Sequence, residues 1–157
     1  MPIEFKVLTE GVFFDAPDFT VSAFPVQHRS PDCLAYLFEE KSRRPFLAEK
    51  AEELGIPNGP LRHELVNGRS VTLADGSIIT PEMVMGEMRR GTRLAAFGDV
   101  GETDSLVEML MGIDGLVIES TYLEEEAEMA KQFAHLTAKK AAELAVKVGA
   151  KQLILTH

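Results

Sequence analysis

Three short apolar runs in the last third of this chain each end on a side chain that can hold a proton or a metal ion. "TRLAAF" leads into Gly98-Asp99, "GLVIE" closes on Glu119, and "QLILTH" closes on His157. Carboxylates combined with imidazole suit a hard or borderline divalent ion such as Zn²⁺, with Mn²⁺ as the alternative. His135 adds a second imidazole just before a helical pattern. The positive end of that helix disfavours a charged ring there unless a carboxylate compensates. Each residue alone has a plainer reading. An Asp after Gly makes turns, a Glu at a strand end is solvated, and a lone His is often incidental. Their coincidence at equivalent positions is what points to a site.

The elements that must position these residues can be read from the pattern. "TDSLVEMLMGI" and "LTAKKAAELAVKVGA" are helical, the second with Ala138, Ala141, Ala142, Ala145 and Val148 apolar and Thr137 as its cap. Strand, helix, strand, helix, strand implies a parallel sheet with crossover helices. Parallel strands end along one edge, where open α/β sheets bind ligands. "QLILT" is expected as a buried strand. Earlier, "FTVSAFPV" and "CLAYLFEE" flank a turn containing Ser30, Pro31 and Asp32, a hairpin with His28 near its tip. Between hairpin and parallel strands, a short helix is expected at 47–54, stopped by Gly55. "IPNGP" is a turn. "SVTLADGSIIT" is two short strands around Asp75-Gly76. This middle segment has few large apolar residues and reads as an insertion rather than core.

The 157 residues suffice for one domain with a core, and 45% hydrophobic with 26% charged content is ordinary for a globular protein. No apolar stretch is long enough to span a bilayer, so the cytoplasm is the expected location. The single cysteine, Cys33, excludes an internal disulfide framework and a cysteine-based zinc cluster. A net charge of −9 argues against a generic nucleic-acid binder. The middle third is nevertheless locally basic between acidic flanks, through "KSRR" (Lys41 to Arg44) and "RRGTR" (Arg89 to Arg93).

From about Thr20 to His157 the chain resembles the C-terminal half of ribonuclease Z, the tRNA 3′-processing endonuclease of the metallo-β-lactamase superfamily. The residues that carry the resemblance are "FPVQHRSPDCLAYLFEE", "LGIPNGPLRHELVNGRSVTLADGSIITPE", "AAFGDV", "LVIESTY", "AHLTAKKAAELA" and "KQLILTH", in that order and spacing. The implied fold class is α/β: about one half of a metallo-β-lactamase-like αββα sandwich, made of a β hairpin, an arm insertion and then βαβαβ. A single partial domain over 1–157 is expected, with 41–81 as the substrate-binding arm.

The resemblance also implies roles. His28, Asp99 and His157 match metal ligands, Asp99 being the aspartate that bridges two zinc ions. Glu119 and His135 match a carboxylate–histidine pair that handles the proton on the leaving 3′-oxygen. Lys41, Arg43, Arg44, Gly59, Pro60 and Arg62 fall in the arm that grips precursor tRNA, where phosphate contacts supply most of the affinity. A homodimer is the implied assembly. The chain departs from the family pattern in four places, one of them Leu136, where the family has serine. Val100 stands where the family has threonine, Ile118 where it has histidine, and the motif of two histidines followed by an Asp-His pair is absent; only His28, His63, His135 and His157 are present. The chain is therefore expected to be a piece of a longer protein and inactive alone. Two other readings stay open: a hydrolase of small esters from the same superfamily, and a non-catalytic tRNA-binding half.

Overall fold

The computed structural model describes Ile3, Phe5 and residues 7–30 and 32–157; Pro31, expected in the hairpin turn, lies outside the described residues. The chain divides into two compact units, Met1–Lys41 with Gly91–His157, and Ser42–Arg90.

The first unit is a six-stranded mixed sheet. Strands β2 (Phe19–Pro25) and β3 (Leu34–Glu40) form the expected antiparallel hairpin, with Phe19 opposite Glu40 and Pro25 opposite Leu34. A strand the pattern did not reveal, β1 (Gly11–Asp15), pairs outside β2 with a register break between Val12 and Phe14. Then β6 (Arg93–Ala96) joins β3 antiparallel. From there the sheet is parallel, through β7 (Gly115–Glu119) to β8 (Gln152–Thr156). The crossovers carry a 3₁₀ turn (Asp104–Leu106) running into α4 (Val107–Leu110), and then α5 (Ala127–Phe133) and α6 (Ala138–Val148). Helix α5 was not expected. Helix α6 was, and its cap is as read: the Thr137 hydroxyl accepts the Lys140 N–H at 3.2 Å. Its buried stripe is Ala141, Leu144, Ala145 and Val148, whereas Ala142 faces solvent.

The helices cover one face of the sheet. Alternation along each strand sends Ala35 and Leu37, Ala95, and Leu116 and Ile118 into a core with Leu110, Leu136 and Leu144. The residues between them, Tyr36 and Phe38, Leu94 and Ile154, line the opposite face. There Phe19 lies 4.6 Å from Phe38 and 5.5 Å from Phe14, centroid to centroid. This unit's own helices leave that face open, which is the form of half a sandwich. β8 does not fit the expectation of a buried strand. Among the described residues it is the outermost strand, paired only with β7, and both Ile154 and Leu155 are exposed. An apolar run records what a strand could pack against, not whether a neighbour is present.

The second unit has a core of its own, which the sparse apolar pattern did not suggest. Helices α1 (Ala48–Glu53), α2 (Pro60–Val66) and α3 (Pro81–Val84) pack with a two-stranded ribbon of β4 (Val71–Thr72) and β5 (Ile78–Ile79) around Ala51, Ile56, Leu65 and Val84. Small size is offset by complete burial: Ala51, Leu65 and Val84 have no exposed surface. α2 was not expected; the turn read at "IPNGP" overlaps it only at Pro60. Gly59, at φ 121°, ends that turn in backbone that suits glycine, and Pro60 opens the helix. The segment 41–81 falls in this unit except for Lys41, and the unit continues to Arg90. No helix among the described residues is long and apolar enough to cross a membrane.

Candidate metal centre

The loop after β6, the end of β7, the link between α5 and α6 and the end of β8 meet at one edge of the sheet, as parallel pairing requires. The hairpin tip after β2 reaches the same place. Asp99 stands between two imidazoles. Its Oδ2 is 3.8 Å from His28 Nε2 and its Oδ1 is 3.6 Å from His157 Nδ1. Both gaps are too long for hydrogen bonds. Two ligands held about 2.0–2.1 Å from one tetrahedral zinc ion lie about 3.4 Å apart, so these gaps suit shared coordination. His135 completes the group: one ligand atom each from His28, Asp99 and His135 lies within 4.8 Å of the other two. The His135 ring centroid is 4.9 Å from that of His28 and 5.7 Å from that of His157.

Two of the three rings are fixed in orientation and tautomer by partners outside the cluster. His28 Nδ1 donates to the Ala134 carbonyl at 2.7 Å, and His135 Nδ1 donates to Glu119 Oε1 at 2.8 Å. In each ring Nε2 is then the nitrogen left for the cluster. A carboxylate or carbonyl on the far nitrogen is the usual support of a metal-binding imidazole.

Glu119 is the hub beneath the cluster. It is only 1% exposed, and the sequence reading of a solvated strand end does not apply to it. Besides His135 it accepts the Val100 N–H at 2.9 Å, the Leu136 N–H at 3.3 Å and both the hydroxyl and the N–H of Thr121. Burial pushes its carboxyl up. The hydrogen bonds from Thr121, Val100, His135 and Leu136 together outweigh that and hold it below its ordinary value of 4.5. Val100, the departure that put support for Asp99 in question, ties the Asp99 loop to Glu119 by its backbone N–H, which any side chain but proline would supply.

Several supporting residues escaped sequence reading. Thr121, two positions past a buried glutamate, had a legible signal: a strand-end Glu-x-Thr can close on itself. Ala134 had none. It ends α5 in left-handed backbone (φ 56°), which turns its carbonyl toward His28. Gly101 allows this, because a Cβ there would come within 2.9 Å of the Ala134 Cα, Cβ and carbonyl oxygen. Gly101→Ala is expected to cost about 1–3 kcal/mol in urea unfolding, since Ala134 cannot retreat without releasing His28.

No family model matches the chain. A protein named ribonuclease Z from Bradyrhizobium diazoefficiens is 42% identical over 157 residues, all of this chain and 52% of that protein. Another from Nitrosopumilus maritimus is 40% identical over 99% of this chain and 52% of its own length. The resemblance to ribonuclease Z holds along the whole chain. The chain spans about half the length of these ribonuclease Z relatives. Among solved structures, human tRNase Z, short form, matches with a TM-score of 0.52 at 22% identity, over 93% of this chain and 39% of that one. A metallo-β-lactamase fold protein from Bacillus subtilis, YhfI, matches with a TM-score of 0.52 at 17% identity, over 92% and 38%. The fold is therefore metallo-β-lactamase-like, and this chain covers part of it.

The residues expected in the arm are placed as follows. Arg43 and the Gly59-Pro60 turn are exposed on the second unit. Arg44 donates to the Gly86 and Met85 carbonyls, and Arg62 donates twice to the Ile56 carbonyl while its guanidinium lies 5.9 Å over the Phe46 ring. Lys41 belongs to the first unit and pairs with Asp15 at 2.6 Å.

Proposed function

We propose that this chain carries part of the active centre of a zinc-dependent endoribonuclease that removes the 3′ trailer of tRNA precursors. The observation that carries the reading is Asp99 facing a different imidazole with each oxygen, in a chain similar throughout to half of ribonuclease Z. In this reading His28, Asp99 and His157 would hold the metal, zinc with Mn²⁺ as the alternative. The ions would supply Lewis-acid chemistry at the phosphate and a source of hydroxide. His135, with Nδ1–H held on Glu119, turns Nε2 to the cluster and passes a proton to the departing 3′-oxygen. Glu119 touches no substrate; it orients the ring and compensates its charge. On the second unit, Arg43 and the Gly59-Pro60 turn meet RNA, and Arg44 and Arg62 keep that surface in shape; Lys41, the last residue before that unit in sequence, adds a further cation. The protein works in the cytoplasm as a homodimer.

A complete two-metal site needs more ligands than these, so the chain alone is expected to be inactive on tRNA precursors with either metal. The test is a chimera in which this chain replaces the matching half of the Brevibacillus brevis ribonuclease Z, 35% identical over 99% of this chain. It is expected to cut a precursor at the 3′ end of the acceptor stem, and Asp99→Ala to abolish cutting. A folded chimera that cuts only small esters, or a chain that cuts precursors alone, would contradict the reading.

A second use of His135 is favoured by its closeness to His28 and Asp99. There it is itself a ligand. His135→Ala separates the two: zinc content is kept if the ring only moves a proton, and falls if it binds the ion.

A further inference from the structure

The hairpin tip does more than present His28. Arg29, its neighbour, donates from Nε to the Phe133 carbonyl at 3.1 Å, and its guanidinium lies 4.8 Å over the Phe133 ring. Adjacent residues of the tip therefore grip adjacent carbonyls, His28 on Ala134 and Arg29 on Phe133. Those carbonyls close α5, where the last turn has no intrahelical donors and the helix dipole favours a cation. The residue after them is His135. On the other side, the Gln27 carbonyl accepts the Gly101 N–H at 2.7 Å, two residues past Asp99. Tip, Asp99 loop and α5 terminus are thus fastened together.

We propose that Arg29 is a positioning residue: by holding the left-handed end of α5 against the hairpin tip, it sets the spacing and tautomers of the His28 and His135 rings. It lies in the quoted stretch "FPVQHRSPDCLAYLFEE", but no role was read for it there. Arg29 is exposed and lies outside the cluster itself, so it acts through the carbonyls it holds. Without its grip, His28 is the one side chain of the tip still holding the left-handed end of α5, which otherwise keeps only the Ala134 and His135 N–H bonds to the Lys131 and Ala130 carbonyls, and His28 loses the fixed acceptor that keeps its proton on Nδ1. The inference rests on the reading of these rings as metal-facing, and its first readout needs no metal.

That readout is the long-range ¹H–¹⁵N imidazole spectrum of the metal-free 157-residue chain at one fixed pH, for wild type, Arg29→Ala and Arg29→Lys. Wild type is expected to show single Nδ1–H tautomers at His28 and His135. Arg29→Ala is expected to show averaged tautomers at both rings with little change in melting temperature, and Arg29→Lys to restore the wild-type pattern in part. Zinc titration should then show affinity about tenfold weaker in Arg29→Ala, the scale of losing an outer partner of a metal ligand. Unchanged tautomers in Arg29→Ala would overturn the proposal and leave Arg29 as a surface or RNA-facing cation. Identical behaviour of Arg29→Lys and Arg29→Ala would overturn it as well. If the tautomers respond but no variant binds zinc, Arg29 positions the rings and the metal reading fails instead.

Discussion

Glu119→Leu should remove about 3–5 kcal/mol of stability, the range measured when one member of a buried ionic pair is deleted. The side chain is matched in size, so lost packing is not the cause. The cause is that the Val100 and Leu136 N–H groups lose their acceptor in the interior, each at about 1–3 kcal/mol, and the Thr121 hydroxyl and His135 lose theirs. Against a typical total of roughly 5–15 kcal/mol, this takes the domain to the margin of folding. Glu119→Gln should lose less, because one oxygen still accepts while the new amide group faces donors. Urea unfolding of the three forms checks the order. The same carboxylate makes the metal-free chain acid-sensitive. Its folded value lies below its unfolded one, so its contribution is full above about pH 4.5 and drains away as the pH falls through the lower folded value. A pH series on Glu119→Gln should lack that component.

Asp99→Ala should all but abolish zinc binding, a loss exceeding the roughly 10–100-fold that follows removal of an outer-shell partner. The argument is geometric. Asp99 supplies the only carboxylate of the described cluster, and its oxygens face His28 and His157 separately. Its removal leaves imidazoles with no anion between them. Stability should hardly change, because the side chain is half exposed and its gaps to the rings exceed hydrogen-bond length. Calorimetric zinc titration beside a urea melt separates this from Glu119→Leu, which should damage both.

Sequence reading reached the site by topology. Three strand ends bearing Asp99, Glu119 and His157 converge because β6, β7 and β8 run parallel, and the order of strands and helices is enough to infer that. The hairpin and the Thr137 cap were legible because local chemistry decides them. Glu119 was legible as a position but not as an environment: periodicity shows that a strand ends there, not that three backbone amides turn inward to meet it. β1, α2 and α5 were missed because each is short and takes its stability from neighbours. The Ala134 conformation and the Gly101 contact were invisible for the same reason, being set by two segments meeting far apart in sequence. The compactness of the 42–90 unit was hidden because a few aliphatic residues scattered along the segment, such as Ile56, Leu65, Ile79 and Val84, suffice for its core once buried together.

The central claim is that the edge of this sheet holds zinc on imidazole and carboxylate. Zinc K-edge X-ray absorption on the chain loaded with one equivalent of metal tests it most directly. The account expects a first shell of nitrogen and oxygen alone at about 2.0–2.1 Å, with multiple scattering from at least two imidazoles. A sulfur scatterer near 2.3 Å, which only Cys33 or a methionine could supply, or failure to retain zinc through dialysis, would contradict it.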